Sequence, residues 1–410
     1  MRIAIVSQYY APESIRIPDS LATTLGSRGH DVRVITGFPN YPNGRLFDGY
    51  AMSLRSVARE AGVTVRRVPL YISHSYNPVA RLINYATFAL SSALAGHWVR
   101  NADVVYVYAT QMTPAFGPSI WRWLYRLPFV LHIQDLWPES VTGSSMVGNS
   151  FAKRAISLAL QPWLRFLYRN AAATIAIAPT MSAMLVERGV PADRIVTVYN
   201  WSTSDPLEDE PAASRADTSS TVVTYAGNFG DHQDLPTVLH AAKLVSDVPN
   251  LTIRLVGSGV AEPALRALAA ELELENVEFI GRVPLEHMAE IHRESDFQLV
   301  TLRDLDIFRG TIPSKLQAAL SVGKPVITAV AGDVRTIVED NGVGIACEPS
   351  DPDQLAAALR TAASMSQEQR RDLSDRARSY YEANMDRELA VERIERILRS
   401  VSRSKRRGAW

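Results

Sequence analysis

A single cysteine, Cys347, stands among 410 residues, so no disulfide can close within the chain and no cysteine-based zinc cluster can be assembled. The flanking text GIACEP reads as a strand end, which fits a buried structural thiol and points to a reducing compartment, the cytoplasm. Net charge is equally absent: 43 Lys plus Arg balance 43 Asp plus Glu, so nothing in the overall balance favours nucleic acid. Long apolar runs are missing too. The best candidate, Leu82 to Val99, contains Asn84, two serines and His97 and is bounded by Arg81 and Arg100. A membrane span needs about 20 predominantly apolar residues, so this stretch reads as a buried or interfacial helix. The first residues enter a strand directly, without an apolar region and cleavage site, and no signal peptide is expected.

What is present is a chain long enough for two domains of roughly 200 residues each, with the 47% hydrophobic and 21% charged composition of a folded protein. The neutral balance hides a division. Residues 1–200 hold 19 basic against 10 acidic residues (+9), and residues 201–410 hold 24 against 33 (−9). A basic first half favours an anionic acceptor or a membrane surface, although such asymmetry also arises incidentally. Strand-like runs such as RIAIVSQYY, DVRVITG, ADVVYVYA and LPFVLHIQD alternate with helical spacing, the signature of a parallel sheet covered on both faces. The second half repeats the pattern with TVVTYAG, NLTIRLVGSG, VEFIGRV, FQLVTL and KPVITAV. The expected organisation is a Rossmann-like domain at 1–203, a linker at 204–220, a second Rossmann-like domain at 221–385, and a C-terminal helix with a basic tail at 386–410, the helix returning to the first domain. Ligands of doubly wound sheets bind beyond the carboxyl ends of the strands, which places the expected site in a cleft between the two domains.

Three motifs carry the chemistry. In GTIPSKLQAALSVGKPVIT, Pro313 suits a first helical turn, while Gly323 and Pro325 end the helix. The free amides at its start, with Ser314 and Lys315, suit a diphosphate; a structural helix alone would carry the same text. In YAGNFGDHQDL, Gly227 and Gly230 let backbone approach a ligand closely. In VGSGVAEPAL, Gly257 and Gly259 follow a strand, but Glu262 occupies the third glycine position of a dinucleotide fingerprint, so a nicotinamide role is rejected.

Taken in order, RGHDVRVIT, GNFG, VGSG, FIGRV and PSKL…GKPVI resemble the GT4-type glycosyltransferases of the GT-B fold. LHIQDLWPES, VYNWS and IPSKLQ narrow the resemblance to the bacterial L-fucosamine transferase, colanic-acid and O-antigen subgroup. It runs from about Ile3 to Leu398. It implies an α/β architecture of two doubly wound domains facing across a cleft. It further implies His132 as a residue facing the donor sugar, with Asp135 and Glu139 as further catalytic candidates. Donor binding falls to Gly227, Asn228, Phe229, Gly230, Gly257, Arg282, Thr311, Ser314, Lys315 and, for the ribose, Glu339. Ser14 and Arg16 replace a glycine pair after the first strand and become acceptor-side candidates. The family's glutamate pair is missing: Gly310 and Ala318 occupy its positions, leaving Asp304, Asp306 or Glu339 as substitutes.

The resemblance implies a retaining transfer from a nucleotide-diphosphate donor, UDP-linked by expectation, of a sugar such as an N-acetylated amino sugar. The expected acceptor is a lipid-linked saccharide of cell-surface polysaccharide synthesis. No metal and no cofactor are expected, because Lys315, Arg282 and helix amides take the electrostatic role and Asp304-Leu305-Asp306 is a short string that arises by chance. The WRWLYR string (Trp121, Arg122, Trp123, Arg126) and the Leu82–Val99 stretch suggest peripheral contact with an anionic membrane at the inner face of the cell membrane. A soluble small-molecule acceptor, a sugar-nucleotide epimerase of the same fold and a catalytically dead scaffold remain rival readings.

Overall fold

The structure, a computed structural model, describes residues 1–41, 44–54, 56–72, 78–137, 150–203, 220–284 and 287–407. Glu139 and residues 204–219 of the expected linker lie outside the described residues. The chain divides into two compact units, Met1–Tyr199 with Ala390–Trp410, and Asn200–Leu389.

The first unit carries β1 (Arg2–Ser7), β2 (Asp31–Gly37), β3 (Ser56–Glu60), β4 (Val63–Val68), β5 (Val104–Ala109), β6 (Phe129–Ile133), β7 (Ala173–Ala176) and β8 (Ile195–Thr197). They form one sheet in the order β3-β4-β2-β1-β5-β6-β7-β8. All pairings are parallel except β3 with β4. The central strands are buried on both faces, as in VVYVYA of β5, which is why they read as unbroken apolar runs and not as alternating ones. The edge strand β3 escaped the sequence reading. Its signal was the Ala61-Gly62 pair, whose φ angles of 46° and 83° make the two-residue turn that suits a twisted hairpin.

The second unit carries β9 (Thr221–Ala226), β10 (Leu251–Val256), β11 (Val277–Gly281), β12 (Phe297–Thr301), β13 (Val326–Ala329) and β14 (Gly344–Ala346). They form an all-parallel sheet in the order β11-β10-β9-β12-β13-β14, the strand order of a dinucleotide-binding fold. Cys347, directly after β14, is buried. Each sheet reverses its winding direction once, at β1/β5 in the first unit and at β9/β12 in the second. Those reversals open a crevice at the carboxyl ends of the strands.

The last helix, Arg387–Arg407, belongs from Ala390 onward to the first unit. Ala390, Val391, Ile394, Leu398 and Val401 form its buried stripe, spaced as one face of a helix demands. Beside that stripe the Glu395 carboxylate accepts from Arg28 at 3.0 Å and from His30 Nε2 at 2.9 Å.

Candidate active site

In the second unit the donor-binding candidates converge at the β9 end. The chain leaves β9 through Gly227, at φ 151°, and Phe229 is fully buried, anchoring a turn whose Gly227 and Asn228 stay exposed. The turn is tied down by Gly227 N to Val256 O at 2.9 Å and Phe229 N to Ser258 O at 2.9 Å. Packing there excludes side chains. A Cβ on Gly257 would lie 1.8 Å from the Gly227 carbonyl oxygen, and one on Gly259 would lie 2.4 Å from that of Phe229. These glycines are therefore required by close backbone approach.

Lys315 reaches into this turn from the helix Ser314–Ser321. Its Nζ lies 2.7 Å from Gln233 Oε1 and 4.9 Å from the centre of the Tyr225 ring. Its Cε would touch a Cβ on Gly227 at 2.5 Å. Desolvation pulls the ammonium down to about 8, although the residue as a whole is only half-buried. The helix begins one residue later than the sequence suggested: Pro313 is extended and caps from outside, with no side-chain cap bond. The first amides, those of Ser314 and Lys315, thus remain available to an anion. Ser314 is exposed and Thr311 half-buried, the latter bonded to Ile307 O at 3.1 Å.

Gln233 and Tyr225 were not recognised in the sequence. Tyr225 Oη lies 2.7 Å from Asn228 O and 3.0 Å from Gln233 Oε1. Thr301 Oγ1 donates to Gln233 O at 2.5 Å, locking the turn to β12. Gln233 lies within the YAGNFGDHQDL segment, but its bond to Lys315, 82 positions away, appears only on folding.

Gly230 is half-buried at the turn's end, and Arg282 is exposed after the edge strand β11, joined to the site through Gly257 N to Gly281 O at 2.8 Å. Glu339 is not brought to the site. It lies near the end of the helix Asp333–Asp340 that leaves the carboxyl end of β13, so about 1.5 Å of rise per residue carries it toward the opposite edge. There it is paired with Arg335 at 2.9 Å. Asp304 and Asp306 are exposed, with Arg309 at 3.8 and 3.3 Å. Among the described residues no group of three His, Cys, Asp or Glu could hold a metal ion.

In the first unit His132 is fully buried within β6. Its Nδ1 is bonded to the Tyr106 hydroxyl, Tyr108 packs edge-on at 5.9 Å, and its Nε2 has no partner among the described residues. Desolvation lowers the imidazole to about 3, so it is neutral at physiological pH. The group presented at the strand's carboxyl end is Asp135, whose side chain meets solvent yet sits deep among protein atoms. That desolvation pushes its carboxyl up to about 6. Ser14 and Arg16 are both exposed, and Arg16 pairs with Asp19 at 3.1 Å.

Directly before Ser14 in the chain stands a residue the sequence reading passed over. Glu13 is buried and accepts backbone N–H groups from Tyr10 at 3.1 Å, Asn40 at 2.8 Å and Tyr41 at 2.8 Å. Beside it runs a chain of amides. Gln111 Nε2 donates to Gln8 Oε1 at 2.6 Å, Gln8 Nε2 to Asn84 Oδ1 at 2.7 Å, and Asn84 Nδ2 to Tyr71 O at 2.6 Å. It ties the helix Pro78–Leu94 to the ends of β1 and β5.

Two doubly wound units, one ending in a glycine turn with an inserted lysine, define a GT-B glycosyltransferase. The chain belongs to the GT4-type glycosyltransferases: residues 16–201 match the glycosyl transferase 4-like domain and residues 207–380 the glycosyl transferases group 1 domain. It is similar to the putative colanic acid biosynthesis glycosyl transferase WcaI of Escherichia coli (strain K12), 27% identical over 404 residues, covering 95% of this chain and 97% of the relative. The probable glycosyltransferase WbjE of Pseudomonas aeruginosa is 24% identical over 269 residues, 63% of this chain and 66% of the relative. In fold it resembles Anabaena HepE in complex with UDP and glucose, with a TM-score of 0.67, 16% identity, and 98% and 100% of the two chains covered.

Proposed function

We propose that this enzyme transfers a sugar, with retention of configuration, from a UDP-linked donor to a lipid-linked saccharide in cell-surface polysaccharide synthesis. The observation that carries the donor side is Lys315 lodged in the Gly227 turn. A half-buried cation, two exposed turn residues and the free first amides of a helix converge on one spot, and a diphosphate satisfies all of them. The complex of HepE with UDP and glucose supports uridine as the nucleoside. The similarity to WcaI, a putative colanic acid biosynthesis glycosyl transferase, and to WbjE, a probable glycosyltransferase, supports a polysaccharide role.

In the reaction the bond from the anomeric carbon to the diphosphate oxygen breaks and a bond to the acceptor oxygen forms. The acceptor's hydroxyl proton leaves with the diphosphate. Lys315 and the helix amides stabilise the departing charge without a metal ion. Asp135 is the carboxylate that meets the sugar or the acceptor hydroxyl, and neutral His132 fixes the strand beneath it. A lipid-linked acceptor is supported by three helices of the first unit, Pro78–Leu94, Phe116–Leu124 and Ser150–Asn170, which contain no Asp or Glu and expose Leu90, Leu94, Trp123, Leu124 and Phe166. Such a surface suits the cytoplasmic face of an anionic membrane.

Thermal stabilisation by a panel of UDP-, GDP- and dTDP-sugars tests the donor, followed by incubation with membrane lipid extract and NMR of the anomeric linkage. The reading expects the largest shift with a UDP-sugar, an acceptor-dependent release of UDP and a retained anomer. No shift with any nucleotide sugar would sink it. Turnover of the donor without an acceptor would favour an epimerase.

A further inference from the structure

Four aromatic rings gather at the carboxyl-end rim of the first sheet. The Tyr9 and Tyr41 rings are 5.3 Å apart at 53°, and those of Tyr85 and Trp137 are 6.2 Å apart at 59°. The two pairs belong together: the Tyr9 phenol lies in the field of Tyr41, Tyr85 and Arg81, and the Tyr41 phenol in that of Arg81, Tyr85 and Asp135. Arg81 is exposed on the helix Pro78–Leu94, and its guanidinium donates to the Tyr85 hydroxyl at 3.3 Å.

This is not the composition of a packing cluster. Tyr9, Tyr41 and Tyr85 are only half-buried, and a cation and an anion share their rim. The rings are also held before any ligand arrives. Glu13 clamps the segments bearing Tyr9 and Tyr41 through three backbone N–H groups. The Gln8–Asn84 bond fixes the helix that carries Tyr85. Pre-paid ordering of this kind is what a binding surface needs.

We propose that these rings form the acceptor site, and that its ligand is a saccharide carried on a phosphate- or diphosphate-bearing lipid. Aromatic planes take the C–H faces of a pyranose, while the phenols and the Asp135 carboxylate take its hydroxyls; apolar surface with a few fixed polar groups is the general form of a small-molecule site. Arg81 takes the phosphate. Leu82, the next residue on the same helix and 62% exposed, adds apolar surface of the character a lipid chain requires. The assignment rests on the transfer reaction proposed above.

Calorimetry with a panel of farnesyl-diphosphate-linked monosaccharides, farnesyl diphosphate alone and the free monosaccharides tests it. A linked monosaccharide is expected to bind the wild type, and Tyr9→Ala or Tyr85→Ala to weaken it at least tenfold. Arg81→Ala is expected to weaken every diphosphate probe and to leave free sugars untouched. Unchanged thermal stabilisation of each variant by the nucleotide sugar shows that it is folded. Tyr85→Phe, which keeps the ring, retains most of the affinity. Wild-type affinity in both alanine variants overturns the site, as does a wild type that binds no probe in the panel. Because these titrations contain no nucleotide, a failed donor screen and a failed acceptor site are read separately.

Discussion

Lys315 Nζ sits 2.7 Å from Gln233 Oε1, against a turn where any side chain at Gly227 would displace it. Two residues 82 positions apart thereby form the cationic end of the proposed donor site. Lys315→Ala is expected to raise the donor KM by about 10- to 100-fold, the worth of roughly one charge-assisted hydrogen bond. The pH dependence has a definite sign. With its ammonium lowered to about 8, Lys315 loses charge as pH rises through that value. A diphosphate favours the charged form, so donor binding should take up a proton near pH 8 and weaken above it. Calorimetry in buffers of different ionisation enthalpy measures that uptake, and its absence would remove Lys315 from the site.

Gly257→Ala tests the close approach. Its Cβ would fall 1.8 Å from a backbone oxygen at φ 138°, so the turn must shift, at about 1–3 kcal/mol or more. Gly281→Ala is the contrast, because a Cβ there meets nothing within 4 Å despite φ 82°; only the left-handed cost of about 1–2 kcal/mol applies. Donor-induced stabilisation should vanish in the first variant and persist in the second. Equal behaviour would mean that the Gly257 contact is unimportant.

Asp135→Asn should raise stability while lowering activity. Desolvation by the surrounding protein atoms lifts the carboxyl to about 6, so between the usual carboxylate range and pH 6 the folded state holds a proton that the unfolded state has released. Its effect on stability is therefore unfavourable as pH rises through that window and persists at pH 7. Neutral asparagine relieves it, the trade expected of a functional group. Melting curves at about pH 4 and pH 7.5 should show the gain mainly at the higher pH. The acidic limb of the rate profile near pH 6 should disappear from whatever activity remains.

Much of this was readable in the sequence because parallel sheets write themselves as apolar runs. DVRVITG and TVVTYA became strands almost residue for residue, and Lys315 stands at a helix start as read, although Pro313, assigned to the first turn, is extended just before it. What stayed hidden depends on distance in three dimensions. Glu13 and Gln8 look like ordinary polar residues after a strand, and only folding shows their partners 27 and 76 positions away. His132 illustrates the reverse. Being near the end of a strand suggests exposure, but the pleat sends its ring beneath Tyr106, a choice of face that one residue of register decides.

Glu395 ties the C-terminal helix to Arg28 and His30 beside its buried apolar stripe. Burial pushes its carboxyl up, but hydrogen bonds from Arg399, His30 and Arg28 outweigh this and hold it down to about 2. Its stabilisation is therefore complete above the usual carboxylate range and lost as pH falls through about 2. Glu395→Gln is expected to cost about 1–3 kcal/mol at pH 7, read by urea denaturation. At pH 2 the variant and the wild type should converge. A constant difference at both pH values would assign the effect to packing.

Membrane attachment should divide the two tryptophans of WRWLYR. Trp121, expected from the sequence on a basic, aromatic surface, is in fact buried, with Nε1 donating to Ala93 O at 3.0 Å. Trp123 is 72% exposed and Leu124 66%, beside exposed Arg126 and, on the adjoining helix, exposed Arg165 and Arg169. The double variant Trp123→Ser/Leu124→Ser is therefore expected to keep its melting temperature and lose sedimentation with vesicles containing about 30% anionic lipid, since apolar insertion and charge attraction act together. Trp121→Ser should instead lower the melting temperature, by loss of a core side chain. Salt gives the second arm. Attraction by exposed arginines is screened over about 8 Å at physiological ionic strength, so wild-type sedimentation should fall as salt rises and on neutral vesicles. Binding that is indifferent both to salt and to the double variant would place the membrane contact elsewhere on the chain.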